Sequence, residues 1–204
     1  MTKVRRWCYN LNDYKSTTDR GTSVKEEETY TMAWEIDAAH SQATFAVKHM
    51  MISTVKGHFN VLRGQLHIDE QNPDNSWIEA EVDAASIDTR DENRDNHLRT
   101  GDFLEVEKYP TINFKSTKVE HIDGDEYKVL GNLTLRGVTR EVIFKAEYSG
   151  QGKDPWGGTR AGLSAKGKID RRDFGLTFNT ALETGGVLVG EEVKIEIDLE
   201  AVQK

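Results

Sequence analysis

The chain has 204 residues, of which 36% are hydrophobic and 30% are charged, and its formal net charge is −8. This length is sufficient for one domain with a sizeable core. The negative charge makes nucleic acid an unfavourable partner and disfavours electrostatic docking on anionic lipid. No apolar run approaches the about 20 residues that a membrane-spanning helix needs. The sequence therefore predicts a soluble globular protein with no integral membrane segment.

Cysteine usage and the first residues bear on the compartment. Cys8 is the only cysteine, so no internal disulfide can form, and a reducing compartment suits the chain. The basic residues at the start are followed by WCYNLND, which interrupts the apolar stretch of about 7–15 residues expected of a secretory signal. The same interruption argues against Cys8 as a lipid-modified N-terminus. The sequence predicts a cytoplasmic protein.

The first 31 residues differ from the rest of the chain. They are polar, show no periodicity and end in three consecutive glutamates at positions 26–28. Such a segment predicts a disordered or loosely attached extension. Residues 32–204 are predicted to form the folded domain. Met32 stands at this boundary, so a translation start there is an alternative to a start at Met1.

From Trp34 onward, apolar and polar residues alternate with a period of two. For example, Ile78, Ala80 and Val82 alternate with acidic residues. This pattern is typical of half-buried antiparallel strands. Turn-forming sequences separate the alternating segments, and the three prolines fall in loops or at strand starts. Only residues 50–53 and part of 93–100 are predicted to be helical.

Eight or nine strands with one apolar face must either close on themselves or form two packed sheets. Closure is favoured because it also removes the exposed strand edges that an open sheet would leave. The predicted fold class is therefore all-β, an eight-stranded antiparallel β-barrel with a short helical turn in its long connection.

That long connection covers residues 84–117 and lacks regular alternation in its first half. A connection of this length inside a domain is uncommon and usually has a function. It holds Arg94, Asp95 and His97, followed by the apolar Leu98 and Phe103. We expect the two apolar side chains to be buried against the barrel. We expect the three polar ones to be bonded to one another, with His97 bonded to Asp95 or to the backbone.

Short motifs occur in a fixed order along the chain. They are ID at 36–37, HS at 40–41, SIDT at 86–89, RD at 94–95, HL at 97–98, DF at 102–103, YPT at 109–111, GNLTL at 131–135, GVT at 137–139, DR at 170–171 and DFG at 173–175. In this order they resemble the YceI family of bacterial polyisoprenoid-binding proteins, from about residue 32 to the C-terminus. The resemblance implies an extended lipocalin-like barrel that binds an isoprenoid lipid. Barrels of this family are often paired, so a homodimer is possible, although the sequence does not fix the oligomeric state. Many members of the family are exported.

The predicted inner face mixes large and small residues. An eight-stranded barrel is either filled by large side chains or holds a small ligand when some are small. Small residues can also simply fit the taper of a barrel, and the residues alone leave both interpretations open. The family resemblance favours a cavity. Its predicted lining is Phe45, Val47, Leu66, Ile78, Ala80, Val82, Ile112, Phe114, Leu133, Leu135, Phe144, Leu163, Ala165 and Ile169.

An amphiphilic lipid would place its apolar tail in this lumen. A polyprenyl phosphate or an isoprenoid quinone fits the description, and its polar headgroup would stay at the mouth because burial without partners is costly. His49, Arg94 and His97 are the predicted headgroup residues. No cofactor is expected other than the bound isoprenoid lipid itself.

The alternative is an enzyme acting on a small apolar substrate inside the same barrel, with or without a metal. His40, His49 and His97 could ligate zinc, but they lack a ligand spacing and a cysteine partner. The sequence also lacks a nucleophile elbow, a phosphate-binding glycine loop and a dinucleotide fingerprint. Charged pairs in a polar connection more often fix a loop than catalyse. We therefore predict no metal and no catalytic role for the candidate acid–base set, Arg94, Asp95, Asp102, Asp170 and Arg171.

Overall fold

The alternating segments form strands of one antiparallel sheet in the computed structural model, which describes residues 33–183 and 185–204. The predicted N-terminal extension, residues 1–31, and the alternative start at Met32 lie outside the described residues. The strands are β1 Trp34–Ile36, β2 Gln42–His49, β3 Ser53–Phe59, β4 Leu62–His67, β5 Trp77–Asp83, β6 Ile87–Asp88, β7 Thr111–Asp123, β8 Glu126–Leu135, β9 Val138–Lys153, β10 Thr159–Asp170 and β11 Val189–Gln203. Short 3₁₀ turns lie at Pro73–Asn75, Ala84–Ser86 and Arg171–Phe174.

The sheet closes into a barrel because β1 pairs with both β4 and β11. Strands β1 and β2 both pair with β11, but with different parts of it. Together they therefore occupy one position in the barrel. In the same way β3 and β4 share a position, and β5 and β6 share the next. With β7 to β11 as single strands, the barrel has eight positions, which confirms the predicted fold. The sequence gives eight or nine strands because it does not show that three positions are broken by short turns.

The long connection contains the helix of the described chain. Helix α1, Glu92–Arg99, begins after Asp91, whose carboxylate accepts a hydrogen bond from the Arg94 backbone N–H and so caps the helix. The prediction of helix at residues 50–53 is wrong. Residues 50–52 form the turn between β2 and β3, in which Met50 and Met51 have φ angles of 53° and 62°, and Ser53 begins β3. No helix in the described part of the chain is both long and apolar enough to cross a membrane.

Two apolar clusters line the inner face of the barrel wall. One contains Leu133, Leu135, Phe144 and Phe174 and receives Leu98 of α1. The other contains Trp34, Leu62, Leu66 and Ala161 with neighbours from β1, β4, β10 and β11. The strand pairing places the first cluster near α1 and the β2–β3 turn, which we call the helical end. The second lies toward the β4–β5 loop and the β7–β8 turn, which we call the opposite end.

Candidate functional site

A cavity of about 490 Å³ runs through the inside of the barrel. This volume lies within the range of small-molecule sites in proteins. Every residue of the predicted lumen contributes to its wall: Phe45, Val47, Leu66, Ile78, Ala80, Val82, Ile112, Phe114, Leu133, Leu135, Phe144, Leu163, Ala165 and Ile169. The predicted headgroup residues His49, Arg94 and His97 also line it. That these residues bind a ligand remains a prediction.

Glycines on neighbouring strands explain why aromatic residues leave the lumen open. A Cβ atom at Gly57 would lie 2.5 Å from Cζ of Phe45, and one at Gly167 would lie 2.6 Å from Cδ1 of Phe144. Each ring therefore packs over its glycine partner on the next strand. A side chain at either glycine would displace the ring, so the two glycines give the rings their place at the wall.

At the helical end, Arg94 and Asp95 meet on one partner, Thr89. The Thr89 backbone N–H and hydroxyl both donate to the buried Asp95 carboxylate, at 2.9 and 2.5 Å. The Arg94 guanidinium donates to the Thr89 hydroxyl and carbonyl oxygens, at 2.7 and 2.8 Å. These bonds fix α1 to the chain segment that follows β6. Arg94 thus combines a structural role with a place on the cavity wall.

His97 does not join that cluster. Its Nε2 lies 2.9 Å from the Asp102 carboxylate, so the expected bond to Asp95 or to the backbone is wrong. Its ring packs edge-on against Phe103 and Phe178, with centroid distances of 5.1 and 5.0 Å. The expected burial holds for Phe103, whereas Leu98 is half-buried. His97 is exposed and also lines the cavity, so the cavity reaches the surface at this end.

Further nitrogen-bearing side chains stand at the helical end besides His97. Arg171 is buried and lines the cavity, and it donates to the backbone carbonyls of Gly190, Leu176 and Val189. Burial lowers the pKa of its guanidinium, with nearby carboxylates opposing the effect. Lys48 and His49, at the end of β2, also line the cavity. The helical end of the lumen therefore presents mostly cationic or neutral nitrogen groups.

The opposite end of the lumen is acidic. The Tyr148 hydroxyl on β9 donates to the Glu70 carboxylate of the β4–β5 loop at 2.8 Å, and Gln151 donates to the same oxygen at 3.1 Å. Burial, and then Glu70, raise the pKa of the Tyr148 phenol. Asp69 and Glu147 line this end as well. These bonds tie the loop to a strand on the far side of the barrel.

His67 also lines the opposite end of the lumen. This is unexpected, because its place in the alternation of β4 puts it on the polar, outward face. Its Nδ1 is buried without a hydrogen-bond partner among the described residues. The strand ends at His67 and the chain turns into the β4–β5 loop. The strict alternation of faces stops applying there.

The candidate acid–base set does not assemble into one site. Asp170 pairs with Arg172, whose guanidinium holds the Asp170 pKa at about 2, rather than with Arg171. Asp102 pairs with His97 instead. The carboxyls with a shifted pKa, at Asp37, Asp69, Glu120, Asp154 and Asp170, are all shifted downward.

The three histidines considered as zinc ligands do not converge either. His40 lies in the turn after β1, where Nδ1 is 2.9 Å from Asp37, whereas His49 and His97 lie at the helical end. Asp37, His40 and Glu200 are close enough to share an ion. Their two carboxylates already accept hydrogen bonds from the Arg160 guanidinium. The Arg160 guanidinium, which also donates to Asp154, offsets part of their negative charge, and the group is an ion-pair network in the described structure.

Several wall residues escape the sequence interpretation. Val119 lines the cavity because a register shift between Ser116 and Lys118 reverses the alternation of β7. Val55 and Phe59 follow the inward parity of β3, so the pattern could have found them. Leu176, Phe178 and Leu188 lie between β10 and β11, where no periodic signal marks them.

An elongated antiparallel barrel with an apolar lumen and polar ends defines the class of lipocalin-like barrels. The family model of the YceI-like domain matches residues 34–201. Protein YceI of Salmonella newport strain SL254 is 39% identical over 168 residues, which cover 82% of this chain and 84% of that protein. The chain belongs to the YceI family.

Solved structures agree with this fold. The YCEI protein of Campylobacter jejuni is 33% identical, with a TM-score of 0.67, covering 77% of this chain and 90% of that one. A polyisoprenoid binding domain from Saccharophagus degradans, implicated in plant cell wall breakdown, has a TM-score of 0.62 at 16% identity. That match covers 85% of this chain and 99% of that domain and shows a shared fold.

Proposed function

We propose that the barrel binds an amphiphilic isoprenoid lipid, which it sequesters or carries with the tail in the lumen. The observation that carries this proposal is the apolar cavity of about 490 Å³ that joins two polar ends. An isoprenoid tail suits such a wall because each buried CH₂-sized unit contributes about 0.8 kcal/mol and needs no directional partner. The polyisoprenoid binding domain of the same fold supports the choice of ligand class.

The charges at the two ends favour one orientation of the ligand. Lys48, Arg94 and Arg171 line the helical end, whereas Asp69 and Glu70 line the opposite end. A phosphate is stabilised by guanidinium and ammonium groups and is repelled by carboxylates. We therefore place the headgroup at the helical end, beside the predicted residues His49, Arg94 and His97. This asymmetry favours a polyprenyl phosphate over an isoprenoid quinone, whose headgroup is uncharged.

Catalysis on a small apolar substrate is the less supported alternative. A general acid working near neutral pH needs a raised carboxyl pKa, and the shifted carboxyls here are shifted downward. At the helical end Arg94 is bonded to Thr89, His97 to Asp102, and Arg171 to backbone carbonyls. These contacts fit a wall that orients a bound lipid.

Lipid extraction followed by mass spectrometry tests the proposal. The full chain, purified without detergent, is extracted and compared with Ala165→Trp and Lys166→Trp. Ala165 faces the lumen, and Lys166 is its exposed neighbour on the other face of β10. We expect a phosphorylated prenyl lipid from the wild type and from Lys166→Trp, and none from Ala165→Trp, whose indole fills the lumen.

His97→Ala separates the tail from the headgroup in the same experiment. If burial of the tail supplies most of the affinity, this variant retains most of the lipid while Ala165→Trp loses it. Full lipid occupancy in a folded Ala165→Trp protein would contradict this placement of the tail. A wild-type protein that holds no prenyl lipid and turns over a small apolar substrate would favour the enzymatic alternative.

A further inference from the structure

Three consecutive apolar side chains project into solvent at the turn between β2 and β3. The exposed fractions of Met50, Met51 and Ile52 are 41%, 60% and 81%. Single exposed apolar residues are common on protein surfaces, but a contiguous apolar group marks an interaction site. We call these three residues the hairpin tip.

The backbone holds the hairpin tip in this outward position. Met50 and Met51 both have positive φ angles, as in the tight turns that usually take glycine or asparagine at these places. The Ile52 N–H donates to the His49 carbonyl at 3.2 Å, and the Met50 N–H donates to the Leu188 carbonyl at 2.8 Å. The turn is thus fixed both within the hairpin and to the segment that precedes β11. Bulky side chains remain at positions whose backbone favours small ones.

The hairpin is cationic in an acidic chain. Asp and Glu make up 35 of the 204 residues, yet none occurs between Asp37 and Asp69. Within that interval the hairpin carries Lys48 and Lys56, both exposed. The hairpin itself therefore carries a positive charge, although the chain as a whole carries −8. Lysines that flank exposed apolar side chains are typical of surfaces that dock on anionic lipid bilayers.

The tip adjoins the helical end of the lumen. His49, directly before the tip, lines the cavity, and so does Leu188, which is bonded to Met50. The opposite end also exposes apolar residues, including Trp156 at 85% and Ile122 at 53%. Those residues are neighboured in the chain by Asp123 and Asp154. The exposed apolar residues of the two ends therefore differ in their charged neighbours, and only the hairpin tip is flanked by lysines without a nearby acidic residue in the same hairpin.

We propose that the hairpin tip is a membrane-docking element, which seats the helical end of the barrel on the surface of an anionic bilayer so that lipid can pass between bilayer and lumen. The partner that the hairpin tip contacts is the bilayer itself. This inference rests on the proposed lipid-binding function, because it gives the lumen access to its ligand. It assigns a role to residues that neither line the cavity nor belong to the core.

Vesicle sedimentation with the full chain tests the docking. The vesicles contain phosphatidylcholine with phosphatidylglycerol, or phosphatidylcholine alone. The variants are Ile52→Glu, Lys56→Gln and the control Ile122→Glu, which places the same change on an exposed isoleucine at the opposite end. We expect affinity for the anionic vesicles to fall about tenfold in Ile52→Glu and about fivefold in Lys56→Gln. Ile122→Glu should bind like the wild type.

A second measurement distinguishes docking from lipid binding. Each delipidated variant is loaded with a prenyl phosphate either from detergent dispersion or from the anionic vesicles. Docking predicts that Ile52→Glu loads normally from detergent and about tenfold more slowly from vesicles. The docking proposal would be overturned if Ile52→Glu and the wild type bound the vesicles equally. It would also be overturned if the wild type did not bind anionic vesicles. A wild type that docks but loads no lipid from either source supports docking and refutes the proposed function.

Discussion

The ring of Phe144 on β9 lies directly over Gly167 on β10, so that a Cβ atom at position 167 would come within 2.6 Å of the ring. The same ring meets Phe114 edge-on, with centroids 5.4 Å apart and planes at 90°. Edge-to-face packing of this kind favours one ring position over others. The open lumen thus depends on a residue that has no side chain.

Gly167→Ala is expected to push the Phe144 ring toward the barrel axis. The ring must move because the new Cβ atom would lie 2.6 Å from its Cδ1 and also 3.1 Å from the backbone oxygen of Ile143. Such overpacking costs about 1–3 kcal/mol, which urea unfolding would measure. The variant should also hold less lipid after purification. Gly152→Ala, where a Cβ meets nothing within 4 Å, is the matched control and should leave stability and lipid content unchanged.

Asp95→Ala is expected to destabilise the helical end. The variant leaves the Thr89 backbone N–H and hydroxyl without their shared acceptor in a buried place. An unpaired buried polar group costs on the order of 1–3 kcal/mol, and thermal and urea unfolding would measure the loss. Asp102→Ala, which removes an exposed partner of His97, should have a much smaller effect. An unchanged melting temperature in Asp95→Ala would refute the structural role and reopen a catalytic one.

The barrel could be predicted from the sequence because its signal is local. Alternation in segments such as β5 and β11 identifies the inner face wherever a strand pairs without interruption. The same parity places Ala80 and Phe114 on the cavity wall. Closure also follows from a physical argument, since many strands with one apolar face leave no stable open arrangement.

The parts of the cavity wall and of the helical end that the sequence does not predict depend on contacts between residues distant in the chain. Val119 faces inward only because β7 bulges after Ser116 against β8. Phe178 reaches the cavity by packing on His97, which is 81 positions earlier in the chain by subtraction of the two residue numbers. The partner of His97 is Asp102 because the chain turns back after α1, and no periodicity records that turn.

Acid stability should depend on Arg160. Its guanidinium, followed by His40, holds the pKa of Asp37 at about 2, compared with 3.8 when the group is free. A lowered carboxyl pKa contributes stability that is complete above pH 3.8 and is lost as the pH falls toward 2. Arg160→Gln should raise the Asp37 pKa and make the unfolding free energy fall less steeply in this window.

Urea unfolding at a series of pH values would measure that slope. Arg140→Gln is the control because Arg140 donates to the carbonyl of its own neighbour, Thr139, rather than to a carboxylate. Its pH dependence should match the wild type. An Arg160→Gln protein with the wild-type slope between about pH 4 and pH 2 would show that the ion-pair network does not shift the Asp37 pKa.

The bond between Tyr148 and Glu70 is expected to keep the β4–β5 loop closed over the opposite end of the lumen. Because burial and the Glu70 carboxylate raise the pKa of the phenol, Tyr148 keeps its proton and continues to donate at neutral and moderately alkaline pH. Tyr148→Phe removes only the hydroxyl, so it should release the loop without a cavity in the wall. Hydrogen exchange should then accelerate at residues 68–76, and Tyr127→Phe, on the lumen wall in β8, should leave it unchanged. If the bound lipid also dissociates faster from Tyr148→Phe, the tail end of the lipid leaves past this loop. Equal rates of hydrogen exchange at residues 68–76 in the two variants would show that the bond does not hold the loop.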